Sequence, residues 1–257
     1  MPERDAAELL RDAKRVVVFT GAGMSAESGV PTFRDALTGL WARFDPKSLA
    51  TPEAFAAEPA LVWGWYEWRR AEVLRARPNA GHDAVAAIEA HVPDTVVITQ
   101  NVDDLHERAG SRTPIHLHGS LFTPRCSSCD RPAPPPATTP APAGPHEELD
   151  GRLPPPSCAD CGAPVRPGVV WFGEQLPTHA LSAATEAVFG CDLLFTVGTS
   201  GLVYPAAEIP YVAARSGATV VQVNPEPTAL DAVADVNLRG TAAQILPDLV
   251  ARAWGDR

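Results

Sequence analysis

Arg15-Val16-Val17-Val18-Phe19-Thr20-Gly21-Ala22-Gly23-Met24-Ser25-Ala26 is the stretch that decides the fold. Val16 to Thr20 form an unbroken apolar and β-branched run, the pattern of a strand buried on both faces of a parallel sheet. The run passes directly into G-x-G-x-x-A ahead of an expected helix. Glycines there permit a tight turn and a close backbone approach to a pyrophosphate at a helix N-terminus. Taken alone, such a turn also serves purely structural ends. The acidic ribose partner usual about 20 residues further on is not evident. Asp35 and Asp45 end no second strand, which disfavours a conventional dehydrogenase. The following residues, Glu27 to Asp35, are too polar for a plain crossover helix. Within them Phe33 and Arg34 either cover a ligand or pack on the surface.

Similar runs recur at Thr95–Thr99, Leu193–Gly198 and Thr219–Val223. Helical patterns lie between and after them, at Pro59–Arg77, Gly81–His91, Pro205–Ser216 and Thr241–Trp254. No internal repeat is present. This alternation predicts an α/β fold, a doubly wound parallel sheet with ligands at the carboxyl ends of its strands. Three of those ends are unusually polar: Gln100-Asn101-Val102-Asp103, Gly198-Thr199-Ser200 and Asn224-Pro225-Glu226. Helix capping would explain some of these residues, Asp103 and Ser200 above all. Their convergence on one sheet edge beside the glycine turn favours a ligand.

The chain has 257 residues and a formal net charge of −10. Its hydrophobic content of 45% supports a real core and excludes wholesale disorder. The acidic balance argues against generic binding to nucleic acid or to anionic membranes. No apolar run approaches the ~20 residues of a membrane span. The first residues lack the apolar stretch of a signal peptide, so a cytoplasmic location is expected. Nearly all the basic residues are arginine, with only Lys14 and Lys47 as exceptions, which reads as codon bias.

The five cysteines carry the strongest local signal. Cys126-x-x-Cys129 and Cys158-x-x-Cys161 suit a tetrahedral structural Zn²⁺ site. The pairs stand further apart than the common 15–20 residues. The excess is a proline-rich loop over 130–157, which holds ten of the chain's 27 prolines. Two disulfides would compete with zinc only in an oxidising compartment. Cys191 is left over and expected to be buried. His118, in His116-Leu117-His118-Gly119-Ser120, suits a general acid or base. On spacing alone His116 competes with it.

Together these residues resemble the sirtuin family of NAD-dependent lysine deacylases. The matching pieces, in order, are GAGMSAESGVPTFRD, TQNVDDLHERAG, HLHGS, CSSC with CADC, VVWFGEQLP, GTSGLVYPAA and VNPE. The resemblance covers nearly the whole chain and implies one catalytic domain, 1–257. Its large Rossmann-like part would take 1–35, 80–118 and 168–257. Its small part would take a helical segment, 36–79, and an inserted zinc-ribbon module, 119–167.

The resemblance also implies roles. Gly21, Ala22, Gly23 and Ser25 would hold the NAD phosphates, with Phe33 and Arg34 closing over the cofactor. Gln100, Asn101 and Asp103 would line the ribose and nicotinamide pocket. Gly198, Thr199, Ser200, Asn224 and Glu226 would hold the adenosine half, with Thr241 or Ala242 near the adenine. His118 aligns with the catalytic histidine, with Asn101 beside it. His116 departs from the acidic residue usual there and receives no role. Cys126, Cys129, Cys158 and Cys161 would bind one Zn²⁺. Val170, Trp171 and Phe172 match the segment that pairs with the substrate backbone. The implied products are free lysine, nicotinamide and an O-acyl-ADP-ribose.

Tyr66-x-x-Arg69 lies within Leu61–Leu74, LVWGWYEWRRAEVL, on one face of a helix. A phenol and a guanidinium can together bind a carboxylate, although Trp63, Trp65 and Trp68 also suggest an aromatic core stripe. Resemblance to the class III sirtuins implies recognition of succinyl, malonyl and glutaryl lysine at this pair, with Ala50 leaving room for the longer chain. The implied partners are acyl-lysine proteins. Plain deacetylation, ADP-ribosyl transfer and a non-catalytic NAD sensor are the alternatives.

Overall fold

The computed structural model describes residues 5–30, 45–136 and 151–255. Phe33, Arg34 and the middle of the proline-rich loop lie outside the described residues. The strand β1 (Arg15–Thr20) is exposed only at Arg15 and buried from Val16 onward. It sits inside a six-stranded sheet of order β3-β2-β1-β6-β7-β8. The others are β2 (Asp94–Thr99), β3 (Ile115–His116), β6 (Leu193–Val197), β7 (Thr219–Val223) and β8 (Val236–Leu238). Every pairing in this sheet is parallel. Val17 on β1 faces Val96 on β2 and Leu194 on β6.

The chain moves outward from β1 to β2 and β3, then returns to the other side of β1 as β6. The strand order therefore reverses between β1 and β6. In open α/β sheets such a reversal leaves a crevice at the carboxyl ends of the two strands. Helices cover both faces of the sheet. On one, α1 (Ala6–Asp12), α5 (Ala80–His91) and α9 (Ala242–Trp254) supply Leu10, Ile88 and Leu246 to a core with Val16 and Val18. On the other, α7 (Thr178–Phe189) and α8 (Ile209–Arg215) pack Val188 and Ile209 against Val17 and Phe19.

A second, two-stranded antiparallel sheet pairs β4 (Gly119–Cys126) with β5 (Val165–Val169). Against it lies α4 (Pro59–Arg75), which follows α2 (Pro46–Leu49) and α3 (Pro52–Ala57). Trp63, Trp65, Tyr66 and the ion pair Glu67–Arg70 are all buried on α4, so it is enclosed on several sides. Phe55, Trp65, Tyr66, Leu121, Val169 and Trp171 share the third core cluster, where helices and small sheet meet.

Several expectations are corrected. The glycine turn opens no regular helix. Two 3-10 turns, Ala22–Met24 and Ala26–Ser28, follow β1 and stop at Gly29, whose φ of 81° is left-handed. The Gly23 N–H is committed to the Gly198 carbonyl at 2.8 Å, which holds the turn against β6. The expected helix Pro205–Ser216 is a 3-10 turn over Ala206–Glu208 followed by α8. Pro210 has no N–H to bond the Ala206 carbonyl, so regular winding begins late. Helix α4 stops two residues short of Arg77, because Pro78 biases the residue before it toward extended backbone.

Gly198 has a φ of 60°, and a Cβ there would lie 2.5 Å from the Gly23 carbonyl carbon. Both strain and collision oppose any side chain. Gly198→Ala is expected to cost roughly 2–3 kcal/mol of unfolding free energy. A urea midpoint unchanged from wild type would refute this account.

Candidate active site

The carboxyl ends of β1, β2, β6 and β7 meet at the switch point. The Gly21 N–H bonds the Val197 carbonyl at 2.9 Å, so turn and strand end are sewn together by backbone. From β2, Gln100 Nε2 donates to Thr199 Oγ1 at 2.9 Å. From β7, Asn224 Nδ2 donates to the Thr199 carbonyl at 2.9 Å. Thr199 thus ties three strand ends together. Ser200 beside it is half-buried and Glu226 is exposed. Ala242 is buried at the start of α9, where a Cβ on Gly81 would come within 2.9 Å of its carbonyl carbon.

Ser25 lies at the centre of a buried polar group. Its Oγ donates to Asp103 Oδ2 at 3.0 Å and accepts from Asn101 Nδ2 at 3.1 Å. Asp103 also accepts the Leu105 N–H at 3.1 Å, as a capping residue would. Burial, opposed by these bonds, pushes its carboxyl above the ordinary value. His118 Nδ1 stands 2.9 Å from the Gln100 carbonyl. That oxygen only accepts, so Nδ1 carries the hydrogen and Nε2 keeps its lone pair. Burial holds the His118 pKa below its usual 6.5, which favours the basic form at neutral pH.

His82 and His106 complete the wall and were not singled out from the sequence. The available signal was the cap Asn79-x-x-His82 at the start of α5, where the Asn79 N–H donates to His82 Nδ1 at 3.3 Å. His82 Nε2 faces Ser25 Oγ at 3.5 Å. His106 lies on α6 (Leu105–Arg108) and its Nε2 is 3.0 Å from Thr20 Oγ1. The two rings meet edge to face with centroids 5.0 Å apart. Burial pushes His82 down to about 4 and His106 down to about 3.

A second polar group adjoins the third core cluster. Trp171 Nε1 donates to Tyr66 Oη at 3.0 Å. Arg166 lies over the Trp171 ring at 3.5 Å and is paired with Glu174 at 2.5 Å. Arg69 stands over Trp65, 5.2 Å from the ring centroid. Burial pushes Tyr66 up to about 12, so its phenol stays neutral. Burial lowers the Arg69 pKa, against the pull of Tyr66 and Asp103. Ala50 is buried and its carbonyl accepts the Phe172 N–H at 2.9 Å. The Val170 N–H bonds the His118 carbonyl at 2.9 Å and the Trp171 N–H bonds Glu174 at 2.8 Å. All three N–H groups of the expected substrate-pairing segment are therefore engaged within the chain.

The four paired cysteines also come together. Their Sγ atoms all lie within 4.8 Å of one another. Cys126–Cys161, Cys129–Cys161 and Cys129–Cys158 are 3.4, 3.6 and 3.8 Å apart. Zn–S bonds of about 2.3 Å in a tetrahedron set sulfurs about 3.8 Å apart, so the cluster fits a structural Zn²⁺. The N–H groups of Cys129 and Ser128 both donate to Cys126 Sγ and draw its pKa down to about 6. These separations suit ligands around one ion and are far longer than the S–S bond of about 2.05 Å in a disulfide, so the geometry favours the metal over the disulfide alternative. Cys191 is buried and its thiol pKa is pushed up to about 11 by burial.

The Sir2 family model matches residues 21–205, a span holding the glycine turn, both cysteine pairs and His118. The chain belongs to the Sir2 family. It is 61% identical to an NAD-dependent protein deacylase of Methylococcus capsulatus over 94% of this chain and 93% of that protein. It is 56% identical to NAD-dependent protein deacylase 1 of Pseudomonas aeruginosa, over 98% and 99%. A crystal structure of a Sir2 homologue–NAD complex superposes with a TM-score of 0.86 at 45% identity, covering 96% and 92% of the two chains. NAD suits this Sir2 site on chemical grounds. Ser25, Asn101 and Asp103 gather a hydroxyl, an amide and a carboxylate in one buried group beside the strand ends, a set matched to ribose hydroxyls and a carboxamide. Among the described residues no helix is long and apolar enough to cross a membrane.

The buried histidines make stability sensitive to acid. His82 and His106 have folded pKa values of about 4 and about 3, below the unfolded value of 6.5. Below pH 6.5 the unfolded chain binds protons that the folded chain refuses, so stability falls as pH falls toward the folded values. By pH 5 the loss is about 2 kcal/mol for each ring. His106→Gln is expected to remove about one proton from the slope of unfolding free energy against pH between 7 and 5. A slope unchanged in that variant would contradict the assignment.

Proposed function

We propose that this chain is an NAD-dependent protein-lysine deacylase that favours acidic acyl groups, namely succinyl, malonyl and glutaryl, and also removes acetyl. The observation that carries the reading is the orientation of His118. Its Nδ1–H is held by the Gln100 carbonyl, which leaves Nε2 with its lone pair as a base, and Gln100 is followed directly by Asn101 of the Ser25–Asn101–Asp103 group. NAD, when bound, would supply an electrophilic ribose carbon with nicotinamide as its leaving group; with one water consumed, the products would be free lysine, nicotinamide and O-acyl-ADP-ribose. His118 accepts a ribose hydroxyl proton at Nε2. Gly21, Ala22, Gly23 and Ser25 hold the phosphates. Gly198, Thr199, Ser200, Asn224, Glu226 and Ala242 hold the adenosine half. Gln100, Asn101 and Asp103 orient the ribose and nicotinamide, with Phe33 and Arg34 as the cover. The four cysteines fill the zinc's coordination sphere, so the metal's part is structural.

The acyl preference rests on Tyr66 and Arg69. Tyr66 Oη accepts from Trp171, so its own hydrogen can be donated outward. Next to a guanidinium, that donor forms a fork for a carboxylate. Ala50 contributes space, and Val170 and Phe172 offer carbonyls rather than N–H groups to the peptide, while the Trp171 carbonyl accepts the Glu174 N–H at 3.0 Å. The separate small sheet and its helices support a large part, 1–35, 80–118 and 168–257, and a small part, 36–79 and 119–167. A cytoplasmic setting suits free cysteines, which persist under reducing conditions.

Arg69→Met is expected to lower kcat/KM for succinyl-lysine peptides by roughly 30- to 1,000-fold, equivalent to roughly 2–4 kcal/mol. Acetyl-lysine peptides should lose far less, and equal losses would sink the acidic-acyl reading. His118→Tyr should abolish nicotinamide release while NAD still binds. Retained turnover would reject the base assignment, and ADP-ribose gained by the peptide would favour a transferase.

A further inference from the structure

His116 and His118 stand two residues apart at the end of β3, and only His118 has a part in the reaction above. We propose that His116 is a positioning residue: as an imidazolium bridging Asn101 and Glu107, it holds the Asn101 main chain, and through it the Ser25–Asp103 group, in the NAD-binding arrangement. The inference rests on the deacylase reading for the identity of the ligand.

The argument is an inventory of hydrogens. His116 Nδ1 lies 3.0 Å from the Asn101 carbonyl oxygen. Its Nε2 lies 2.7 Å from Glu107 Oε1. A carbonyl has no hydrogen to give. The Glu107 carboxyl is held below its ordinary range against its burial, chiefly by its bond to His116, so it too only accepts. A neutral imidazole has one N–H and one lone pair, and would set that lone pair against an oxygen at one end. Acceptors on both nitrogens require both hydrogens. The surroundings agree. Burial lowers the His116 pKa, but the bond to and charge of Glu107, the Asn101 carbonyl and the charge of Asp103 together raise it above 6.5.

The other charged or titratable groups around the ring do not replace this pair. Helix α6 brings His106, Glu107 and Arg108, and the turn before it brings Asp103 and Asp104. His106 is the neutral, buried ring already described. Arg108 is turned to the Val73 carbonyl at 3.1 Å and to Asp104 at 3.5 Å. Helix α7, which packs against β3, carries His179 and Glu186. His118 faces Gln100.

Asn101 is tied at three points. Its N–H donates to Thr99 Oγ1 at 3.0 Å, its Nδ2 donates to Ser25 at 3.1 Å, and its carbonyl accepts from His116 at 3.0 Å. Of these ties only the last is made by a group that titrates near neutral pH. Loss of the His116 proton removes one of the ring's two bonds. The amide that reaches Ser25 then hangs from a looser backbone.

Two measurements test this. In the ¹⁵N spectrum of the full chain, both ring nitrogens of His116 should be protonated at pH 7, with a midpoint above 6.5. By calorimetry, the Kd for NAD should rise about tenfold as pH passes through that midpoint. His116→Gln should abolish this alkaline rise. Glu107→Gln should move its midpoint toward acid. A limb due to His118 would fall on the acid side and survive both variants. A neutral His116 ring at pH 7, or an alkaline rise that survives His116→Gln, overturns the proposal. NAD binding that is tight but flat with pH overturns it and leaves the deacylase reading standing. NAD binding at no pH overturns both.

Discussion

Backbone touches backbone where the turn Gly21-Ala22-Gly23 lies on Gly198, and the site's other parts are placed relative to that seam. A Cβ on Gly23 would come within 2.7 Å of the Gly198 Cα, and one on Gly21 within 2.8 Å of the Thr199 Cβ. With no side chains between them, the carboxyl ends of β1 and β6 close to hydrogen-bond distance at the point where strand order reverses. Thr199 follows directly on Gly198. Its fixed position lets one residue take a bond from Gln100 on β2 and another from Asn224 on β7. A wider gap at this seam would separate the strand ends and the residues they carry.

Burial then decides which protons the site keeps. His82 and His106 are enclosed without a charged partner, so both stay neutral and serve as hydrogen-bonding walls. His118 is also held in its basic form, with one nitrogen committed to Gln100. Tyr66 is kept as a neutral phenol beside Arg69. His116 alone among these rings faces a carboxylate, and it shifts the opposite way. These four histidines thus divide by partner rather than by sequence neighbourhood.

Much of this was legible in the residues. Val16 to Thr20 had to be a doubly buried strand, because an unbroken apolar run suits no half-exposed element. Two CxxC pairs announced a tetrahedral thiolate set whatever the loop between them. The glycine turn was read in place but assigned the wrong winding, since its bond to Gly198 comes from a strand more than 170 residues away. The small sheet was not read at all. Pro124 in β4 and Pro167 in β5 break the alternation that marks a strand, and their pairing tolerates them in a short ribbon with a register shift. Helix α7, with its small residues at Ala180 and Ala184 turned inward, carried too faint an apolar stripe to stand out.

The sequence by itself determined the strand and helix alternation, the glycines of the turn, the two CxxC pairs whose spacing suits zinc, and the polar residues at the strand ends. These are local matters, set by residue type and spacing. Tertiary structure alone decided which of those polar groups meet and what charge each carries. The contact of Trp171 with Tyr66 spans 105 positions, and that of Asn101 with Ser25 spans 76. A proton's residence depends on burial and on the partner across the gap, and neither is written in the order of residues. For that reason two histidines in one short motif, His116 and His118, end with pKa values displaced in opposite directions.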